Sequence, residues 1–369
     1  MTTTMTSKLY IGIMSGTSLD GVDVALTAFE DNRCKVQATH FLPYSAALKT
    51  ALLGLHFSSE NELEKTAIMS NQLASLYAQA VNALLSENNL QPTQIEAIGC
   101  HGQTIRHRPE LGFTLQIGNS ALLAELADIQ VVSDFRSRDI AAGGQGAPLV
   151  PAFHKAVFGS SNKNRVILNI GGIANITYIT KTGEVLGFDS GPGNMLLDSW
   201  TKLKLGKDYD ANGAWAATGV IHESFLSNML AEPYFAIPPP KSTGRDLFND
   251  VWLTQHLLYP HCRPQDVART LVALTAQSIH NAIMQHCPAV DEIYLCGGGA
   301  HNALLVDSLK ELFTDMPIAN TDALGVDVDW VEAVAFAWLA KQCLSNQASN
   351  LPEVTGAKGL RILGAIYPK

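Results

Sequence analysis

No apolar run in this 369-residue chain reaches the roughly 20 residues that a membrane-spanning helix needs. Positive charge is scarce as well: 25 lysines and arginines stand against 34 acidic residues, a formal net charge of -9. That balance argues against a nucleic-acid partner or an anionic membrane surface. The opening residues MTTTMTSK lack the basic and apolar regions of a secretory signal. No Cys-x-x-Cys pair occurs among six scattered cysteines, Cys34, Cys100, Cys262, Cys287, Cys296 and Cys343, which read as reduced, mostly buried thiols. A cytoplasmic location is the expectation. Also missing is a Gly-Lys-Ser/Thr run before a helix, so any phosphate site must be built another way.

What is present suits two α/β domains, each long enough to bury its own core. Leu9 to Leu26 reads as a β-hairpin, apolar on both arms, around Ser15-Gly16-Thr17-Ser18-Leu19-Asp20-Gly21. Such a turn offers backbone N–H groups and hydroxyls to an anion, and Asp20 or Asp23 is suited to a magnesium ion held through water. An ordinary hairpin with a polar turn explains the same residues. Cys34 to Leu42 continues the meander, and helices are expected over 46–55 and 60–87. Ile95 to Cys100 reads as a short buried strand ending in His101-Gly102-Gln103-Thr104, polar groups where open α/β sheets place ligands. A satisfied loop histidine is the plainer reading.

Ile129 to Ser133 is expected to start the crossing into a second domain, giving domain I as residues 1–130 plus 346–369 and domain II as 131–345. Beyond it, Asp134 and Arg136 precede the low-bulk run 141–148, either a backbone laid against a ligand or a crossing pinned by an ion pair. RVILNIGGIAN repeats the opening theme with Gly171-Gly172 at its turn. A strand over 184–188 then ends in Asp189-Ser190-Gly191, just before a helix whose amino terminus suits phosphate. Asp189 is there either a reacting carboxylate or a helix cap. FAIPPPKSTGR, residues 235–245, is too rich in proline for regular structure. Gly297-Gly298-Gly299-Ala300 follows another buried strand, and Glu332 lies on an amphipathic helix over 330–343, facing inward or to solvent.

Two strand–turn–strand openings, an Asp-Ser-Gly and a late glycine run follow the order found in the sugar kinase/actin/70-kilodalton heat-shock superfamily. IGIMSGTSLDGVDVAL, GCHGQTIRH, SDFRSRDIAAGGQGAPLVPAFH, LNIGGIANIT, GFDSGPGNMLLD, LCGGGAHN and VEAVAFAWLA together closely resemble the 1,6-anhydro-N-acetylmuramic acid kinases, over essentially the full chain. The resemblance implies a two-domain actin-like ATPase fold, ribonuclease H-like in each half, with a cleft between domains. It implies a kinase of cell-wall recycling that uses ATP and magnesium, opens the 1,6-anhydro bridge with water and phosphorylates the freed 6-oxygen. A homodimer is compatible with it. Carried over, Gly16, Thr17, Ser18, Leu19, Asp20, Gly21, Val22 and Asp23 would meet ATP, as would Gly171, Gly172 and Gly297 to Ala300. His101, Gln103, Thr104, Asp134 and Arg136 would border the sugar, Asp189 would activate water, and Glu332 would assist. Another sugar kinase of this fold, or an actin-like ATPase without sugar turnover, are the rival readings.

Overall fold

The computed structural model describes residues 8–16, 18–30, 33–257 and 262–369. Its strands are β1 (Leu9–Ser15), β2 (Gly21–Glu30), β3 (Arg33–Pro43), β4 (Ile95–Arg108), β5 (Phe113–Ile117), β6 (Val131–Ser133), β7 (Arg165–Ile170), β8 (Ile173–Ile179), β9 (Val185–Pro192), β10 (Glu292–Cys296), β11 (Ile318–Asn320) and β12 (Ala365–Tyr367). Contacts divide the chain into two units. The first holds the described residues through Phe158 together with Trp330–Lys369; the second is Gly159–Asp329.

One strand plan occurs in both units. In the first, β1, β2 and β3 form an antiparallel meander, and β4 and β6 add parallel to the β1 side. In the second, β7, β8 and β9 form the meander, and β10 and β11 add parallel beside β7. With β5 and β12 set aside, each sheet thus runs third, second, first, fourth, fifth in its own chain order. Parallel neighbours need long crossovers, and helical segments supply them. This duplicated α/β plan is that of the two-domain actin-like class. The first sheet also gains β5 beside β4 and β12 antiparallel to β6.

Each unit buries its own apolar core. Ile11, Ile13, Val22 and Val24 of the first hairpin pack with Leu73, Tyr77 and Val81 of the helix Glu62–Glu87. In the second, Leu168, Ile170, Ile176 and Phe188 pack with Leu271, Ile279 and Ile283 of the helix Pro264–His286.

Three expectations are corrected here. The division falls at 158/159 and 329/330, not at 130/131 and 345/346, because β6 pairs with β4 in the first sheet and the helix Val331–Leu344 packs on β1 and β4. That helix is not amphipathic: ten of its 14 residues are buried. It reaches the sheet because Gly12 and Gly99 stand opposite each other on β1 and β4; a Cβ at Gly12 would lie 1.7 Å from the Ala333 carbonyl oxygen, and one at Gly99 2.0 Å from that of Phe336. Finally, β4 runs on to Arg108, so His101 to Thr104 lie within a strand. Gly102 at φ +77° sits where the β1–β4 register shifts, and such a bulge lets the strand continue.

Candidate active site

In the first unit the β1–β2 turn is held from below. Ser15, buried, bonds to the Tyr44 hydroxyl at 2.6 Å and donates to Gln103 Oε1; Gln103 Nε2 donates to the Gly16 carbonyl at 3.1 Å. Gln103 has no exposed surface, so its amide braces the turn. Asp20 Oδ1 accepts from Ser18 Oγ at 2.7 Å and from the Gly21 N–H at 3.1 Å, while its side chain stays exposed. Leu19 takes a left-handed φ of +58° and sends its side chain into the core, as Val22 does from β2, so these two can offer a ligand only backbone. Gly16 meets nothing closer than Ser18 Oγ at 3.3 Å, which leaves the close approach of a ligand as a reason for glycine there. Asp23 is part-buried on β2 beside Met14 of β1. Thr17 lies outside the described residues.

Behind this turn, Arg136 donates to His101 Nε2 through Nη2 at 2.8 Å and Nε at 3.2 Å, and through Nη1 to the Gly146 carbonyl at 2.8 Å. An imidazole that accepts from a guanidinium must be neutral. Burial, then the Arg136 charge, pushes His101 down to about 3. Burial also lowers Arg136 to about 10, against the Glu332 carboxylate, which favours its charge. Glu332 is part-buried; burial raises its pKa, Arg136 opposes that, and Asp20 adds to it. Asp20, Arg136, His101 and Glu332 are therefore one electrostatic group. His101 and exposed Asp134 line a cavity of about 650 Å³ with Gln116, Asn119, Ser120 and Ser133, and Thr104 Oγ1 accepts from Gln116 at 3.1 Å. Uncharged polar side chains in such number suit hydroxyls and amides.

The second unit holds the other expected residues. The Gly171–Gly172 turn is fixed by the chain that follows β9: the N–H groups of Gly193 and Met195 donate to the Gly172 carbonyl at 2.9 and 3.1 Å, and that of Asn194 to Gly171 at 2.8 Å. The helix amino terminus expected to receive phosphate thus spends these donors on the hairpin. Neither turn glycine meets protein closer than 3.7 Å from a built Cβ. Of the later run, Gly297 and Gly299 are required by contact with Asn169 and Ile170, whereas a Cβ on Gly298 meets nothing, and Ala300 lines a cavity of about 620 Å³.

Asp189 lies inside β9 and not after it, because the strand runs to Pro192; the following helix, Met195–Leu205, is preceded by Asn194. Ser190 is the extra residue of a bulge, since Asn175 faces Asp189 and Ala174 faces Gly191. Asp189 Oδ2 accepts from the Thr243 N–H at 3.0 Å. Burial lifts its pKa to about 6, opposed by that N–H and by Lys241. Lys241 and Thr243 were not singled out in the sequence; the Lys-Ser-Thr-Gly run was a signal, masked by the prolines before it. Among the described residues no group of three or more His, Cys, Asp or Glu side chains is placed to hold a metal.

The family profile of anhydro-N-acetylmuramic acid kinase matches residues 8–369. The chain belongs to this family. An anhydro-N-acetylmuramic acid kinase of Nitrosomonas europaea is 54% identical over 97% of this chain and 99% of its own, and that of Nitrosospira multiformis 52% over 99% and 100%. Among solved structures, the activator of the 2-hydroxyisocaproyl-CoA dehydratase from Clostridium difficile with bound ADPNP aligns over 92% of this chain and 97% of that one, at a TM-score of 0.47 and 11% identity. The expected activity class, a kinase, is that of the family.

Proposed function

We propose that this kinase uses ATP and water to convert 1,6-anhydro-N-acetylmuramic acid into N-acetylmuramic acid 6-phosphate and ADP in cell-wall recycling. The observation that carries the assignment of roles is Asp189, a carboxylate with a pKa raised to about 6, on the strand whose continuation bonds to the Gly171–Gly172 turn. A base near neutral pKa is the group that activation of water requires, a contribution of about a hundredfold to ten-thousandfold. Asp189 takes a proton from water as its oxygen bonds to the anomeric carbon. The bond from that carbon to the 6-oxygen breaks, and the 6-oxygen attacks the γ-phosphorus, releasing ADP. One water is consumed, and the departing oxygen is neutralised by phosphorus, so no separate acid is needed.

The backbone around Gly16, Gly171, Gly172 and Gly298 would meet the nucleotide, and Ala300 with its cavity would border it. His101, Thr104, Asp134 and Arg136 would border the sugar, with Gln103 bracing the phosphate turn and Glu332 fixing Arg136. Magnesium fits this donor set: Asp20 is exposed enough to hold a hydrated cation through water, and Asp23 lies on the same hairpin. When bound, it would neutralise phosphate charge. Phosphoryl transfer needs little beyond positioning and such charge stabilisation.

ADP release with a panel of sugars tests the reading. The anhydro sugar should turn over and ordinary N-acetylmuramic acid should not; the reverse preference would make the chain another sugar kinase. Asp189→Asn should cut turnover by at least about a hundredfold while ATP still binds.

A further inference from the structure

We propose that Lys241 is the positioning residue that keeps Asp189 aligned and ionised, acting through a strap of chain that holds Asp189 at three atoms. The inference rests on Asp189 being the base. Lys241 Nζ donates to the carbonyls of Tyr234 at 3.2 Å and Phe235 at 3.3 Å, and lies 4.6 Å from the centre of the Tyr234 ring. The Tyr234 hydroxyl donates to the Asp189 carbonyl at 2.8 Å. The Asp189 N–H donates to the Lys241 carbonyl at 3.1 Å, and the Thr243 N–H to Asp189 Oδ2 at 3.0 Å. The circuit closes on itself: the ammonium ties the start of the segment to its end, and both ends grip the carboxylate residue.

Side-chain and backbone donors are needed because Pro238, Pro239 and Pro240 contribute no N–H. The ammonium also supplies charge. Burial drives Asp189 toward its neutral form, and Lys241 opposes it; burial lowers Lys241 in turn, and Asp189 opposes that. Other groups beside Asp189 do not replace this charge. β8 brings Asn175 opposite it, the turn Pro233–Ala236 brings Tyr234, whose ionisation burial and Asp189 suppress, and the helix Pro264–His286 brings His286 against the neighbouring Phe188, its pKa lowered by burial and by Lys241. Arg245, further along the strap, favours the charge of Asp198.

The test uses the full chain with Lys241→Gln, which keeps a donor to the two carbonyls, and Lys241→Arg, which keeps the charge. Two quantities are read: the pH profile of kcat/KM, and the Asp189 carboxyl pKa by carbon-13 NMR, assigned by its loss in Asp189→Asn. For Lys241→Gln both should move up by about one pH unit, a loss of about fivefold at pH 6 that nearly vanishes at pH 8. Lys241→Arg should restore both. An unmoved carboxyl pKa in folded Lys241→Gln, or an equal loss at every pH, overturns the proposal. A moved carboxyl pKa with an unmoved rate profile instead removes Asp189 from the role of base, so the two failures are distinct.

Discussion

Asp198 shows what this chain spends by drawing carboxylates away from water. It sits on the helix Met195–Leu205, and burial lifts its pKa to about 7; Arg245 opposes, while Asp208 and Asp210 add to the rise. An acid whose folded pKa exceeds its ordinary value of 3.8 binds its proton more tightly folded than unfolded. Stability therefore falls as pH climbs from about 4 to about 7 and is lowest above that window. Asp198→Asn removes the penalty, so its thermal midpoint should exceed the parent's at pH 8 and the gap should close toward pH 4. A gap independent of pH would show that Asp198 is not the titrating group. Asp189 belongs to the same class, and its sign for activity is opposite: in the role proposed for it the ionised form acts as the base, so kcat/KM should rise through about pH 6 and then level. At this scale Asp189 stood out in the sequence because a carboxylate closes a strand-like run just before glycines and a helix, and its role as base is a proposal. Lys241 did not, because the prolines before it masked its run and its partners lie 6, 7 and 52 residues away. Gln103 read as a ligand contact because it was placed beyond the end of a strand, and its partners, Ser15 and Gly16, lie almost 90 residues away in sequence.

At the scale of elements, the hairpins and long helices were legible because their apolar periodicity is local. The length of β4 was not. Beyond Cys100 it carries His101, Gln103 and Thr104, whose burial is made tolerable by Arg136, Ser15 and Gln116, and the bulge at Gly102 hides the alternation. The helix Val331–Leu344 looked amphipathic because Glu332, Lys341 and Gln342 interrupt it, yet two facing glycines let it settle on the sheet. Gly12→Ala should therefore destabilise by roughly 3 kcal/mol or more, since the added methyl meets backbone that cannot rotate away. Gly298→Ala is its control: the Cβ has open space, so the melting temperature should hold while ATP affinity, measured by calorimetry, falls. A stable Gly12→Ala protein would refute the packing account, and undiminished ATP affinity in Gly298→Ala would remove that glycine from the nucleotide site.

For the whole molecule, the repeated strand–turn–strand theme announced two related halves, and the sheets have one plan twice over. The division between them was misplaced because β6 is three residues long and its partner β4 lies about 30 residues earlier, a pairing without a local signature. The roles proposed for this chain draw on residues of both units, and the reaction they compose has a stereochemical consequence. Water activated by Asp189 must reach the anomeric carbon from the face opposite the departing 6-oxygen, as in inverting glycoside hydrolysis, where a carboxylate likewise holds the water. The bridge in the substrate is β, so the first-formed 6-phosphate should be the α anomer. In oxygen-18 water the label should enter at the anomeric carbon, because the 6-oxygen that reaches phosphorus was already part of the sugar. Proton NMR during the first turnovers reads the anomer, and mass spectrometry of the product before and after phosphatase treatment reads the label. Label in the phosphoryl group would mean that water attacks phosphorus, and a β product before mutarotation would place the water on the other face; either result would remove Asp189 from the position argued for it.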